Sequence, residues 1–336
     1  TITTYNQAET LHTYSTSGTY NIEITNEVRG WQFNNSGDRQ KITNIYKWGD
    51  FNFTDNKVFY GCKYMTCTAT DVPTISTTDL QWALANCEIL DFDATGWNVS
   101  LVTNFNYTFF FMMKLVGTGF DTLDMSSAQF MTATFFYDLK FNGNIGAWNL
   151  ASLASVNQTF QNCPLLNPNL VNWSFPNLTT FNRMFQYCTS FTGQGVSNWN
   201  VSNVTNMNAA FNGCTNFDQN LSSWDINQVT NFSYILFNTA LSTANYDALL
   251  VSWEAQAPQI NMTPSFGSST YTLGSAAATA RASLISTYGW TITDGGGIAN
   301  LFTFSVNTAN AGTLSTQFQL PLFSSGAISM DVDWGD

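Results

Sequence analysis

The side chains with the most chemical potential are six cysteines, and five of them keep a beat. Cys62, Cys87, Cys163, Cys188 and Cys214 recur at intervals of 25 or 26 residues or a small multiple of that step, while Cys67 stands off register. Thiols in such a series can pair as disulfides, hold a metal, or line an interior as small buried side chains. A thiol that fills the same slot of every repeat reads first as a buried cysteine ladder. Disulfides between neighbouring coils remain open, because adjacent slots about 5 Å apart satisfy the Cα separation that a disulfide needs. The sequence holds one histidine, His12, so neither a Ser-His-Asp triad nor a histidine metal centre can be assembled.

Other candidate chemistry is sparse. Asp331, Asp333 and Asp336 alternate near the end of the sequence and are weak candidates for holding a structural calcium ion, with a solvated strand edge as the plainer explanation. Gly295 to Gly297 is not followed by Lys-Ser/Thr, so no phosphate loop is present. Carboxylates are scattered, and no pair stands out as glycosidase machinery. Asn-x-Ser/Thr sequons occur at Asn52, Asn98, Asn106, Asn157, Asn172, Asn177, Asn200, Asn203, Asn220 and Asn231. In an exported protein some would carry glycan, although Asn in a repeat can equally bond its own turn. These features point away from an enzyme.

The positioning elements follow from the same beat. Phe160-Gln161-Asn162-Cys163, Phe185-Gln186-Tyr187-Cys188 and Phe211-Asn212-Gly213-Cys214 are its clearest copies. Stepping back places Phe135 to Asp138, Phe110 to Met113, Leu84 to Cys87 and Phe59 to Cys62 in register, and stepping forward places Phe237 to Ala240. Trp97, Leu123, Trp148, Trp173, Trp199 and Trp224 form a second track at the same interval. A fixed period of this size marks a solenoid whose coils bury their apolar faces only against neighbours. The 336 residues are 44% hydrophobic, enough for a large core, and only 10% charged, with a formal net charge of -12. That balance argues against nucleic acid and against anionic membranes. No apolar run reaches the ~20 residues of a membrane span, and Thr1-Ile2-Thr3-Thr4 is neither an initiator Met nor a signal peptide, so a chain cut from something longer is expected.

In chain order, residues 1–38 read as strands, with alternating apolar positions over Tyr20, Ile22 and Ile24. Residues 39–294 hold the solenoid and a helical cap, with helices expected at about 244–256 and 275–287, Ser275 as N-cap and Gly289 past the end. Ala248, Leu249 and Trp253 face inward in the first helix, and Ala276, Ala280 and Leu284 in the second; residues 288–292 read as one more strand. Residues 295–299 read as a glycine-rich linker, and 300–336 as three further strands ending in Asp333-Trp334-Gly335-Asp336.

Two resemblances attach to these residues. The stretch Trp199-Asn200-Val201-Ser202-Asn203-Val204-Thr205-Asn206-Met207, with Phe211 and Cys214 behind it, resembles the BspA-like surface-protein branch of leucine-rich repeats. His12-Thr13-Tyr14 with Gly18-Thr19-Tyr20 resembles the C-terminal half of a PKD-type immunoglobulin-like domain, and the final Trp-Gly-Asp resembles the end of its N-terminal half. Together they imply a mainly β protein, a leucine-rich-repeat-like solenoid with split sandwich halves at its two ends. Eight or nine coils at about 4.8 Å each separate those ends by roughly 40 Å, and three glycines span only about 10 Å. Closure within one chain is therefore not expected. The expected partner is another copy, head to tail, which builds open filaments when the rotation does not close. Leu11, His12, Tyr14, Tyr20, Ile22 and Ile24 would meet Phe302, Phe304, Phe318, Leu320, Val332 and Trp334 of the next unit, whether as a separate chain or the next period of a tandem polypeptide. The expected function is an extracellular structural fibre. The alternative is a cell-surface adhesin whose solenoid face binds a host protein or glycan.

Overall fold

The computed structural model describes residues 11–299, and the chain divides into two compact units, Thr1–Ile298 and Ala299–Asp336. The first unit is a stack of coils joined by main-chain hydrogen bonds between residues mostly 23 to 26 apart. The expected mainly β class is corrected here. The strands among the described residues have two residues each: β1 (Asn44–Ile45), β2 (Asn52–Phe53), β3 (Thr66–Cys67), β4 (Thr74–Ile75), β5 (Tyr271–Thr272) and β6 (Gly297–Ile298). They form three parallel pairs, β1 with β3, β2 with β4 and β5 with β6. Further along, the sheet narrows to single bridges, Asp79 to Asn104, Asn104 to Phe130, Phe130 to Ser155, and Thr180 to Asn206 to Asn231.

Turns take the place of strands, and the reason lies in the backbone. Each coil carries two left-handed positions four residues apart. One series is Lys57, Trp82, Tyr107, Ala133, Gln158, Arg183, Ala209 and Tyr234; the other is Gly61, Asn86, Phe111, Tyr137, Asn162, Tyr187, Gly213 and Asn238. A strand cannot contain such a residue every fourth position. Alternate residues of the run donate to the next coil, as Lys57 to Gln81, Phe59 to Ala83 and Gly61 to Ala85 (3.0, 2.7 and 2.8 Å), while those between close local turns such as Cys62 N–H to Phe59 C=O (3.0 Å). At the corners, Asn and Asp side chains accept the N–H two residues on, as at Asn98, Asp124, Asn149, Asn200 and Asp225.

The interior is filled by aromatic columns. Phe135, Phe160, Phe185 and Phe211 stack at 5.3, 5.5 and 6.0 Å, nearly parallel. Trp148, Trp173 and Trp199 stack at 6.4 and 6.3 Å. Each of these indoles, and that of Trp224, donates its N–H to a carbonyl of the preceding coil: Phe120, Ile145, Leu170 and Val196. The tryptophan column thus couples burial to hydrogen bonding. An apolar void of about 10 Å³, at the limit for a single water, lies among Phe53, Leu84, Trp97, Phe105 and Phe120.

Helix α1 (Thr243–Ala255) buries Tyr246, Leu249, Leu250 and Trp253, and α2 (Ala276–Ser286) buries Ala277, Ala280 and Leu284. Trp253 stacks on Phe232 and donates to Leu221 C=O, repeating from a helix what the tryptophans below do from coils. Ser275 caps α2, its hydroxyl accepting from the N–H groups of Ala277 and Ala278.

Several expectations change in detail. Phe109 and Met112 are the buried pair, not Phe110 and Met113, and Leu236 and Thr239 replace Phe237 and Ala240, because the step alternates between 25 and 26 residues. Ala276 is exposed and Ala277 takes the inward place; Ala248 is only half-buried; residues 288–292 form no strand. No strand forms over residues 11–24, so the expected half sandwich is not built there. Residues 28–35 belong to the first coil instead, with Val28, Phe33 and Asn35 donating to Asp50, Val58 and Tyr60. The glycine linker is tied down: Gly295 donates to Ser269 C=O at 2.8 Å, and Gly297 opens β6.

Candidate interaction surface

The repeat-register cysteines face inward. Cys62, Cys87, Cys163, Cys188 and Cys214 are all buried free thiols, and Cys67 is a half-buried one. Cys87, Cys163, Cys188 and Cys214 donate Sγ–H to the carbonyls of Phe59, Phe135, Phe160 and Phe185 in the preceding coil, at 3.2, 2.9, 2.9 and 3.0 Å. Burial pushes the Cys62 and Cys188 thiols up to about 12 and raises the other three as well. Thiols held neutral in this way are poor nucleophiles and poor metal ligands. Among the described residues no three His, Cys, Asp or Glu side chains gather as a metal site. Asp331, Asp333 and Asp336 lie outside the described residues.

Asp138 occupies a cysteine slot. Its Oδ1 accepts Met112 N–H at 2.7 Å, its Oδ2 is buried without a partner, and burial pushes its carboxyl well above the usual range against that one hydrogen bond. A folded-state value raised above the unfolded one penalises folding once the pH exceeds the unfolded value of 3.8, and the penalty shrinks as pH falls back toward it. Asp138→Cys should therefore stabilise the protein at pH 7.5 by about 1–3 kcal/mol. The gain should shrink at pH 4.5. Urea titrations of both chains at the two pH values measure this, and a difference independent of pH would contradict it.

The sequons divide by exposure. Asn52 is buried, its Nδ2 donating to Glu27 and its Oδ1 accepting from Ser76, so it cannot carry a glycan in the folded chain. Asn106, Asn157 and Asn231 are half-buried, and Asn98, Asn172, Asn177, Asn200, Asn203 and Asn220 are exposed.

Two surface features among the described residues gather exposed or partly exposed apolar side chains. In the first, Leu11 and Ile22 are 80% and 72% exposed, and Tyr14, Tyr20 and Ile24 are exposed as well. The contacts there are local: Tyr14 stacks on Tyr20 at 4.1 Å and meets the His12 ring edge-on at 4.6 Å, and the Tyr20 hydroxyl donates to Thr16 C=O at 2.8 Å. His12 thus packs among surface rings. Phe302, Phe304, Phe318, Leu320, Val332 and Trp334 lie outside the described residues.

The second feature is an aromatic strip absent from the sequence-based expectations. Trp82 stacks on Tyr107 at 4.0 Å and 1°, Phe110 on Phe136 at 5.0 Å, and Phe111 on Tyr137 at 4.7 Å and 5°. All are partly exposed. Phe111 and Tyr137 hold the left-handed slot that other coils give mostly to Gly or Asn, the residues such backbone favours, and Trp82 and Tyr107 hold the other left-handed position of their coils. Bulky rings there strain the chain, and packing against their neighbours along the strip is their local return. The residue before each repeat cysteine was the available signal: Gly61, Asn86, Asn162 and Gly213 there are turn residues, whereas Phe111, Tyr137 and Tyr187 in the same slot are not.

Among the described residues no helix is long and apolar enough to cross a membrane. Neither a curated protein nor a solved structure matches the chain. One family model matches three times, over residues 30–116, 78–193 and 155–272, which together take in the coil stack and α1 and amount to well over half of the sequence. Its description carries no function, and the BspA-like and PKD-type resemblances draw no support from it. By these three overlapping matches, the chain belongs to the family described as Mycoplasma protein of unknown function, DUF285.

Proposed function

We propose that this is an extracellular structural protein, without catalytic activity, that joins copies of itself end to end. The observation that carries the reading is the segment 11–24, whose apolar side chains, Leu11, Tyr14, Tyr20, Ile22 and Ile24, all face solvent. Contiguous exposed apolar surface of this kind marks an interaction site. Alternation over Tyr20, Ile22 and Ile24 suits pairing with an added extended segment, which supplies main-chain hydrogen bonds and fills alternate pockets. The occupant is residues 301–336 of a second copy, which carry matching alternation at Phe302 and Phe304, Phe318 and Leu320, and Val332 and Trp334. Because the two contact patches differ, the contact is heterologous and propagates. A sequence with few charged residues and many amides and hydroxyls fits an exterior location.

Light scattering on the full chain should find species larger than one chain. Ile22→Asp with Ile24→Asp should return it to the monomer, raising the apparent dissociation constant at least tenfold. A native chain that stays monomeric, or a variant that assembles unchanged, would overturn the reading.

A second reading, an adhesin whose coil face binds a protein or glycan, is favoured by the aromatic strip from Trp82 to Tyr137. It is compatible with assembly.

A further inference from the structure

The left-handed slot before Cys62 is Gly61, with φ of 86°, and its missing side chain has a purpose. A Cβ there would stand 2.3 Å from Asn35 Oδ1 and 2.6 Å from Arg39 Cδ. The space that Asn fills in the coils of Asn86 and Asn162 is filled here by Arg39 and Asn35, reaching across from the first coil. The result is an open cleft of about 420 Å³. Amides line one side of it, Asn35, Gln40 and Asn86, and the rings of Phe110 and Phe111 line another.

The charges of the cleft are unequal. Lys63 pairs with Glu88 at 3.1 Å. Arg39 has no ion-pair or hydrogen-bond partner among the described residues, and its Nε is closed off from water without an acceptor. The two terminal nitrogens of Arg39 are open to solvent and without an acceptor among the described residues, so a ligand carboxylate meets the guanidinium there. The fork of a guanidinium matches a carboxylate through two parallel bonds, amides match hydroxyls, and an aromatic wall matches the apolar face of a sugar ring.

We propose that this cleft binds a carboxylate-bearing sugar, with the carboxylate on Arg39, the ring hydroxyls on Asn35, Gln40 and Asn86, and the ring against Phe110 and Phe111. The cleft rests on the adhesin reading and is independent of end-to-end assembly.

Calorimetric titration with glucuronate, glucose and N-acetylglutamate tests it. Glucuronate should saturate one site per chain, with glucose and N-acetylglutamate at least tenfold weaker. Arg39→Gln should lose tenfold or more. Gly61→Asn places in the cleft the residue that Asn86 and Asn162 supply in the same slot, so it should abolish binding while leaving the circular dichroism and thermal midpoint close to native. If Gly61→Asn does not fold, Arg39→Gln decides alone. Equal binding of N-acetylglutamate, undiminished binding by Arg39→Gln or by a folded Gly61→Asn, or no saturable glucuronate binding would each overturn the proposal. Binding that survives both variants but is lost in Trp82→Ala would instead move the site to the aromatic strip, overturning the cleft while leaving the adhesin reading in place.

Discussion

Replacing Trp173 by alanine should lower the stability of the coil stack by about 3–5 kcal/mol, the cost of deleting a large buried aromatic side chain. Trp173 is buried between Trp148 and Trp199, lies 6.2 Å from Phe160, meets Phe175 edge-on at 5.7 Å, and donates to Ile145 C=O at 3.0 Å. Alanine therefore opens a cavity shared by three coils and removes a bond between two of them. The loss is a large share of the 5–15 kcal/mol that holds a typical domain together. Each coil rests mainly on its neighbours, so the damage should centre on the coils around Trp173 and spread outward along the stack. Trp173→Phe should cost less, because it keeps most of the apolar area, and Ile145 C=O retains its bond from Trp148 N–H. Val171→Ala, an exposed change two residues away, should fall within about 0.5 kcal/mol of native. Urea denaturation of the three variants measures the ordering. A loss below 1 kcal/mol for Trp173→Ala would mean the column does not hold the stack.

Asp294→Ala should cost a comparable amount, about 3–5 kcal/mol, through charge instead of volume. The Asp294 side chain is 3% exposed and collects four donors: Arg281 Nε at 2.7 Å, Arg281 Nη2 at 3.1 Å, the Tyr246 hydroxyl at 2.7 Å and Gly296 N–H at 3.1 Å. It joins α1, α2 and the strand that follows. Its hydrogen bond raises the Arg281 guanidinium further, and burial, followed by the nearby carboxylate, pushes the Tyr246 hydroxyl up. Alanine leaves a cation and a buried hydroxyl without their acceptor. Part of that cost belongs to the abandoned partners, so Arg281→Met combined with Asp294→Leu should recover much of it. Thermal midpoints of the single and double variants check this, and a double variant as unstable as the sum of its parts would contradict it.

How legible this was in the sequence differs from element to element. The Phe, Trp and Cys columns could be read because burial recurs with the coil, and one residue type fills one slot each time. The slip at Phe110 arose where Phe109, Phe110 and Phe111 stand together and the step changes from 25 to 26, so periodicity alone could not select the inward ring. The β class was misread for a different reason. Apolar spacing reports which side chains are buried, but not the sign of φ, and the two left-handed residues per coil convert apparent strands into turns. Ser275 was legible because its chemistry is local: a hydroxyl one residue ahead of a helix caps it whatever the tertiary setting. Gly295 to Gly297 looked like a linker because composition does not show that Ser268 presses on Gly295 and Leu273 on Gly297, leaving no room for a side chain at either. Arg39 was invisible for the same reason: its place depends on a missing Cβ in the neighbouring coil.

The most direct test of end-to-end assembly joins the two proposed contact patches covalently. Chains carrying Ile22→Cys and chains carrying Phe304→Cys are mixed and oxidised gently, with the five repeat-register thiols protected by burial. A disulfide-linked dimer at twice the monomer mass, abundant in the mixture and scarce with either variant alone, is the predicted result. A mixture that yields no more dimer than the separate variants would contradict the account.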